Sequence, residues 1–253
     1  MATKDRLILV CNDDGIFAKG IQALIEVASD FGKVEVIAPD RQQSAVGHSI
    51  TIMDPLRATR FELKNGMVGT AVNGTPADCV KLAHDQLLDR KPDLVLSGIN
   101  HGSNAGINLI YSGTVSAATE GTILGYPSVA VSCTDFDENA DMSGCQEAAA
   151  KAIQFIFNNG LPKGITLNIN APSGPLKGLK WTRQGDSKYV DEYEPRVDPH
   201  SRPYYWMTGR FQVLDHGEEL DINVLKEGYG SITPIQYDLT AHKVFGEMSK
   251  MEL

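Results

Sequence analysis

Apolar positions fall in short unbroken runs, separated by stretches in which they recur every three or four residues. Leu7–Cys11 (LILVC) is the first run; five apolar residues without alternation predict a strand buried on both faces. From Gly20 the pattern changes. Ile21, Leu24, Ile25 and Ala28 stand at i, i+3, i+4 and i+7, one face of a helix, and Gly32 is expected to close it in the left-handed conformation. Residues 34–39 (VEVIAP) read as a second strand. The three segments make a βαβ unit, which calls for parallel strands and a right-handed crossover.

The alternation continues with breaks. Residues 74–88 (GTPADCVKLAHDQLL) open a helix, with Thr75 as N-cap, Pro76 at the first helical position and Asp78 completing a capping-box-like spacing. Residues 93–98 (DLVLSG), Ser128–Cys133 (SVAVSC) and residues 164–170 (GITLNIN) predict further strands. Residues 145–160 predict a strong helix ending at Gly160. After about residue 176 turn formers, charges and aromatics replace the clean periods, which suggests an extended arm or an irregular β excursion. A short helix-like piece, a Gly turn and a strand follow within residues 220–235. Strands alternating with helices indicate an α/β fold. The expectation is a Rossmann-like, three-layer α/β/α sandwich with a mostly parallel sheet plus an extended C-terminal arm. It forms one domain over residues 1–253, in which about 177–253 carry the arm and the C-terminal segment.

Composition narrows the function classes. A chain of 253 residues, 42% hydrophobic, can bury a full core. Its net charge of -9 makes a nucleic-acid polymer a poor partner, because such binding relies on Lys and Arg neutralising phosphates. Cys11, Cys79, Cys133 and Cys145 form no Cys-x-x-Cys pair and read as buried free thiols of a reducing compartment. The N-terminal apolar run is too short for a secretory signal, and no segment reaches the ~20 apolar residues of a membrane span. A soluble cytoplasmic protein without a membrane partner is expected.

The chemistry is sought where the strands end, since ligands of doubly wound sheets bind outside the carboxyl ends. After the first strand come Asn12, Asp13, Asp14 and Gly15. After the second come Asp40, Arg41 and Ser44, and after LVLSG come Asn100, His101, Gly102, Ser103 and Asn104. Acids near a helix N-terminus serve as simple caps, but one would suffice; two side by side repel unless a cation balances them. Two carboxylates, a hydroxyl and an amide oxygen form a hard donor set that suits Mg²⁺, Mn²⁺ or Ca²⁺. Further on, Ser112, Gly113 and Thr114 sit where a Gly/Asn-rich approach turns into an Ala-rich helix. Backbone N–H groups there would form an anion site, although a plain Ser or Thr N-cap explains the same letters. Neither G-x-x-x-x-G-K-[ST] nor G-x-G-x-x-G occurs. A cation and an anion-binding helix start on one sheet edge suggest metal-assisted hydrolysis of a phosphate monoester.

Six stretches, ILVCNDDG, APDRQQSAVGHSIT, VNGTPADCV, PDLVLSGINHGSNAG, YSGTVSAATEG and GYGSITPIQYDLTA, span residues 8–241 in one order. In them the chain resembles the SurE (survival protein E) family of metal-dependent nucleoside-monophosphate phosphatases. The resemblance implies one divalent cation per subunit, Mg²⁺ or Mn²⁺, held by Asp13, Asp14, Ser44 and Asn100. It implies 5′-nucleotidase activity on nucleoside monophosphates, with some activity on 3′-nucleotides. It also implies a homodimer or homotetramer that exchanges C-terminal arms, in keeping with the aromatic residues Tyr189, Tyr193, Tyr204, Tyr205 and Trp206. Members vary between Ser-Gly and Ser-Ala in the Ser44 loop; here Ala45 follows.

On this reading Asp13, Asp14 and Asn104 are catalytic, and Asn104, Ser112, Gly113 and Thr114 hold the phosphoryl oxygens. His101 is taken as a spectator in a mobile loop rather than an acid, and Asp238 with His242 as a structural ion pair. A haloacid-dehalogenase-like phosphatase needs Asp-x-Asp, which Asn12 and Gly15 deny to this site. A non-enzymatic receiver-type or phosphate-binding module has acids after its first strand but is about half this length and lacks the Gly/Asn-rich cradle.

Overall fold

The computed structural model describes residues 5–64 and 66–251. The elements run β1 (Leu7–Cys11), α1 (Lys19–Ser29), β2 (Lys33–Pro39), β3 (Ala58–Glu62), β4 (Val68–Val72) and α2 (Pro76–Leu82), which continues into a π-helical turn. Next come β5 (Leu94–His101), α3 (Asn108–Tyr111), α4 (Gly113–Ile123), β6 (Ser128–Cys133), α5 (Ser143–Asn159) and β7 (Ile165–Ala171). The remainder is β8 (Leu179–Trp181), β9 (Ser187–Val190), β10 (Tyr193–Val197), β11 (Pro203–Met207), β12 (Arg210–Val213), α6 (Asp221–Lys226), β13 (Gly230–Gln236) and α7 (His242–Met248).

Nine strands form one sheet in the order β3-β4-β2-β1-β5-β6-β7-β13-β8. Every neighbouring pair is parallel except β3–β4 and β13–β7. The expected α/β class with a mostly parallel sheet is what the chain adopts. Helices α1 and α5 pack together against the sheet, as do α2 and α4. The crossover through α1 runs from β1 to β2 and that through α5 from β6 to β7, opposite directions along the sheet. Since both helices share a layer, these two crossovers have opposite hands, so one departs from the right-handed rule.

Local signals explain most elements. β1 and β6 are buried at every position, as unbroken apolar runs should be. Helix α1 buries Ile21, Leu24, Ile25 and Ala28, the predicted stripe. At α2 the capping box forms in full: Asp78 N–H donates to Thr75 Oγ1 (3.1 Å) and Thr75 N–H to Asp78 Oδ2 (2.9 Å). Helix α4 is buried almost all round, which its Ala, Gly, Ser and Thr side chains permit by letting the sheet and α2 approach closely.

Two expectations need correction. Gly32 does not close α1 in a left-handed turn. The helix ends at Ser29 with Asp30 as C-cap in the right-handed region. Gly32 has another reason: a Cβ there would lie 2.7 Å from the Arg6 carbonyl oxygen. The strand expected over residues 93–98 instead spans Leu94–His101 and carries Asn100 and His101 on the sheet edge. The pair β3–β4 was not expected, although the dipeptide Asn65-Gly66 between them is a recognisable hairpin signal. In the C-terminal stretch β8, α6 and β13 attach to the main body, whereas β9–β12 form two antiparallel ribbons, β10–β11 and β12–β9.

Candidate functional site

The parallel strands bring the segments after β1, β2 and β5 to one sheet edge, where helix α4 also starts. After β1, Asn12 is fully buried and its Nδ2 donates to the Gly15 carbonyl (2.9 Å), closing a tight turn. Gly15 has φ +96°, a conformation that favours glycine. Asp13 is buried, and its Oδ1 accepts a hydrogen bond from the Thr114 hydroxyl. Asp14 accepts from Gln42 Nε2 (3.3 Å) and from the His101 backbone N–H (3.3 Å), and its Oδ2 lies 3.4 Å from His101 Nδ1.

The start of α4 explains the letters Ser-Gly-Thr. Ser112 is the N-cap, accepting from Val115 N–H (3.1 Å), which leaves its own hydroxyl hydrogen free to donate. A Cβ at Gly113 would stand 2.8 Å from Asp13 Cβ and 3.0 Å from its Oδ2. Only glycine lets this helix start come so close to the carboxylate. The capping alternative for the acids thus has a counterpart in the fold, but at α4, about a hundred residues downstream.

Burial pushes the Asp13 carboxyl up to about 6, and the charge of Asp14 adds to this, while the Thr114 hydroxyl pulls the other way. Among the described residues no Lys or Arg pairs with either carboxylate; the single ionic neighbour is His101 beside Asp14. No three His, Cys, Asp or Glu side chains converge among these residues. A cation here would therefore draw on the two acids plus neutral oxygens. Asn100 suits that role: it is buried and its Nδ2 donates to the Gly102 carbonyl (2.6 Å), leaving Oδ1 as the open acceptor. An adjacent pair of acids with no Lys or Arg partner among the described residues, beside an amide oxygen, fits a hard dication.

The expected residues are not all equally placed. Asp13, Gly113 and Thr114 are in direct contact, and Asp14 meets the strand end that bears Asn100 and His101. Ser44 is exposed, and its hydroxyl has no hydrogen-bond partner among the described residues. Its neighbour Gln43 ties the loop to the site through an N–H donated to the Asp13 carbonyl (2.7 Å). Ala45 has φ +56°, so the Ser-Gly and Ser-Ala variation falls on a left-handed position where glycine carries no strain. Asn104 is buried and fixed from below by Ser132, Asn168 and Asn170, with no contact to the carboxylates.

Some residues escaped the sequence reading. His101 does not lie in a mobile loop: it ends β5, its side chain is only 14% exposed and its Nε2 is buried without a partner among the described residues. The Ser44 loop is latched to α4 through His48 and Glu120 (2.8 Å), and Lys81 also reaches Glu120 (3.0 Å). Burial alone would raise the Glu120 carboxyl; the bonds from His48 and Lys81 outweigh it and hold the group below its ordinary range. Thr51, further along, is anchored to Asp78 through its N–H (3.0 Å) and its hydroxyl (2.6 Å). The lone charged residue inside a helix of small side chains, as Glu120 is, was the available signal. Elsewhere, Asp238 and His242 form the expected ion pair (2.7 Å), and all four cysteines are free and buried. No helix among the described residues is long and apolar enough to cross a membrane.

Comparison with known proteins concerns the chain as a whole. The family model for survival protein SurE matches residues 8–191. A 5′-nucleotidase SurE from Cytophaga hutchinsonii is 48% identical over 248 residues, covering 96% of both chains. One from Christiangramia forsetii is 45% identical, over all of this chain and 99% of its own. The crystal structure of a SurE protein from Aquifex aeolicus superposes with a TM-score of 0.83 at 40% identity, covering 96% of this chain and 98% of that one.

Proposed function

The chain belongs to the survival protein SurE family, and from that premise we propose that it is a 5′-nucleotidase, a hydrolase that releases phosphate from nucleoside 5′-monophosphates. The proposal extends to 3′-monophosphates as secondary substrates. It also includes one divalent cation per subunit, Mg²⁺ or Mn²⁺, held by Asp13, Asp14, Ser44 and Asn100. The observation that carries it is the buried Asp13 carboxylate, beside a second acid and against the start of α4, with no Lys or Arg among the described residues to balance either charge.

When bound, the cation polarises a phosphoryl oxygen and lowers the pKa of a water beside it. The chain supplies the rest. Backbone N–H groups of Gly113 and Thr114, the Ser112 hydroxyl and Asn104 Nδ2 donate to the phosphoryl oxygens and spread the charge that develops there. One carboxylate of the Asp13–Asp14 pair takes the proton of the attacking water. Monoester hydrolysis calls for acceleration of up to ~10²¹-fold, so charge neutralisation and positioning carry most of the work.

The wider proposal is a cytoplasmic enzyme of a single domain, in which residues 177–253 carry the arm. Two copies or four exchange these arms. Exposed Tyr193, Tyr204, Tyr205 and Trp206 on β10–β11, and Phe245 on α7, support the assembly, since aromatics favour interfaces. The test is steady-state hydrolysis of AMP and GMP with EDTA and then with Mn²⁺. Turnover that stops and returns is expected. Absence of turnover under every condition would favour a phosphate-binding or receiver-type module instead.

A further inference from the structure

β7 is apolar and buried, yet it carries Asn168 and Asn170, which share one sheet face by their spacing and are both fully buried. Buried amides are kept where their bonds matter, and these converge on Asn104. Asn170 Oδ1 accepts the Asn104 N–H (2.7 Å) and the Ser103 hydroxyl (3.2 Å). Asn168 Nδ2 donates to the Asn104 carbonyl (2.9 Å). Ser132, level with Asn170 on β6, accepts from Asn104 Nδ2 (2.8 Å).

Asn104 lies outside any helix or strand and is only 8% exposed. Its main-chain groups would be orphaned there; strand side chains satisfy both. The side-chain amide has two hydrogens, of which Ser132 takes one and leaves one to donate. Asn170 Nδ2, Asn168 Oδ1 and the Ser231 hydroxyl, which sits opposite Asn170 on β13, have no partner among the described residues. An apolar β7 would avoid the two unpartnered asparagine atoms, so the asparagines are not there for packing.

We infer that Asn168, Asn170 and Ser132 are positioning residues for the reaction: together they fix the backbone and the amide of Asn104 so that its free N–H is aimed at the transferred phosphoryl group. The inference rests on the phosphate-contacting role proposed for Asn104.

A double-mutant cycle tests it, with AMP as substrate, excess Mn²⁺, and kcat and KM measured separately. Asn104→Ala should lower kcat/KM by roughly 10²–10³-fold, mostly in kcat. Asn170→Ala should lower it by about 10-fold or more in the native background and by less than about twofold in the Asn104→Ala background, since nothing is left to position. Equal losses in both backgrounds would overturn the inference while leaving the phosphatase reading intact. If Asn104→Ala retains full activity, the role of Asn104 fails and the inference with it. Should Asn170→Ala not fold, Ser132→Ala removes one hydroxyl and runs the same cycle. Amide hydrogen exchange over residues 102–106 supplies a readout independent of turnover. Faster exchange at Asn104 in Asn170→Ala, with β1 unchanged, is expected. If the wild type hydrolyses no AMP, unchanged exchange at Asn104 overturns the inference and accelerated exchange upholds the positioning.

Discussion

The carboxyl edge of the sheet and the β10–β11 ribbon are built on opposite terms. At the edge, polar side chains are buried and bonded to residues far away in sequence: Asp13 to Thr114, Asn104 to Ser132 and Asn170, Glu120 to His48 and Lys81. In the ribbon, every residue of both strands is exposed and its antiparallel register is main-chain pairing. An isolated two-stranded ribbon is marginal in water. Preorganisation therefore resides where side chains have lost their freedom, and the ribbon keeps its aromatic area available for a partner. The two regions should answer mutation differently, the edge through rate and folding, the ribbon through assembly.

The largest expected effect is at Asp13. Asp13→Asn should lower kcat/KM by more than ~10³-fold, beyond the loss from a single hydrogen-bond donor; a near-native rate would remove the site from the comparison. The same change has a stability signature. The folded carboxyl sits near 6 against an ordinary 3.8, so the native state binds the proton more tightly than the unfolded one. In chelator, stability should then fall as pH rises from 3.8 through 6, by on the order of 3 kcal/mol, and Asp13→Asn should abolish that slope. Urea denaturation at several pH values reads both.

Gly20→Ala comes next. A Cβ there would meet the Ile99 carbonyl oxygen at 1.8 Å, against backbone that cannot swing away. A loss of about 3 kcal/mol or more is expected in thermal melts. Activity should fall as well, because Ile99 adjoins Asn100. Glu120→Gln should cost about 1 kcal/mol at pH 7 through weakened bonds to His48 and Lys81. Its folded carboxyl lies below the ordinary 4.5, so the difference from wild type should shrink as pH falls below that value. The smallest stability effect belongs to the ribbon. Trp206→Ser, at a side chain 59% exposed, should leave per-subunit kcat/KM within a few-fold and the melting of a single subunit within about 0.5 kcal/mol. Light scattering should show smaller assemblies. An unchanged assembly would mean the ribbon is not the contact proposed.

Much of this was readable from the chain. Runs such as Leu7–Cys11 and Ser128–Cys133 announce buried strands because apolar area must leave water, and the Thr75–Asp78 box closes within four residues. These are local facts, and local facts survive in a sequence. The adjacency of Asp13 and Asp14 likewise shows an electrostatic problem that something must balance. Harder to read were Gly32, misjudged because its constraint is the Arg6 backbone rather than its own helix, and His101, whose strand runs farther than its apolar letters suggest.

By itself, the sequence determined the core strands β1, β2, β5, β6 and β7 and the helices between them, and hence that the loops bearing Asp13, Ser44 and Asn100 fall at one sheet edge. Only the tertiary structure decided which polar groups there acquire partners. Thr114 meets Asp13 across 101 residues and Asn168 meets Asn104 across 64. Such pairings follow from the register of parallel strands and the close approach allowed by Gly113. The physical reason is that a hydrogen bond depends on tenths of an ångström, whereas hydrophobic patterning fixes only which face is buried.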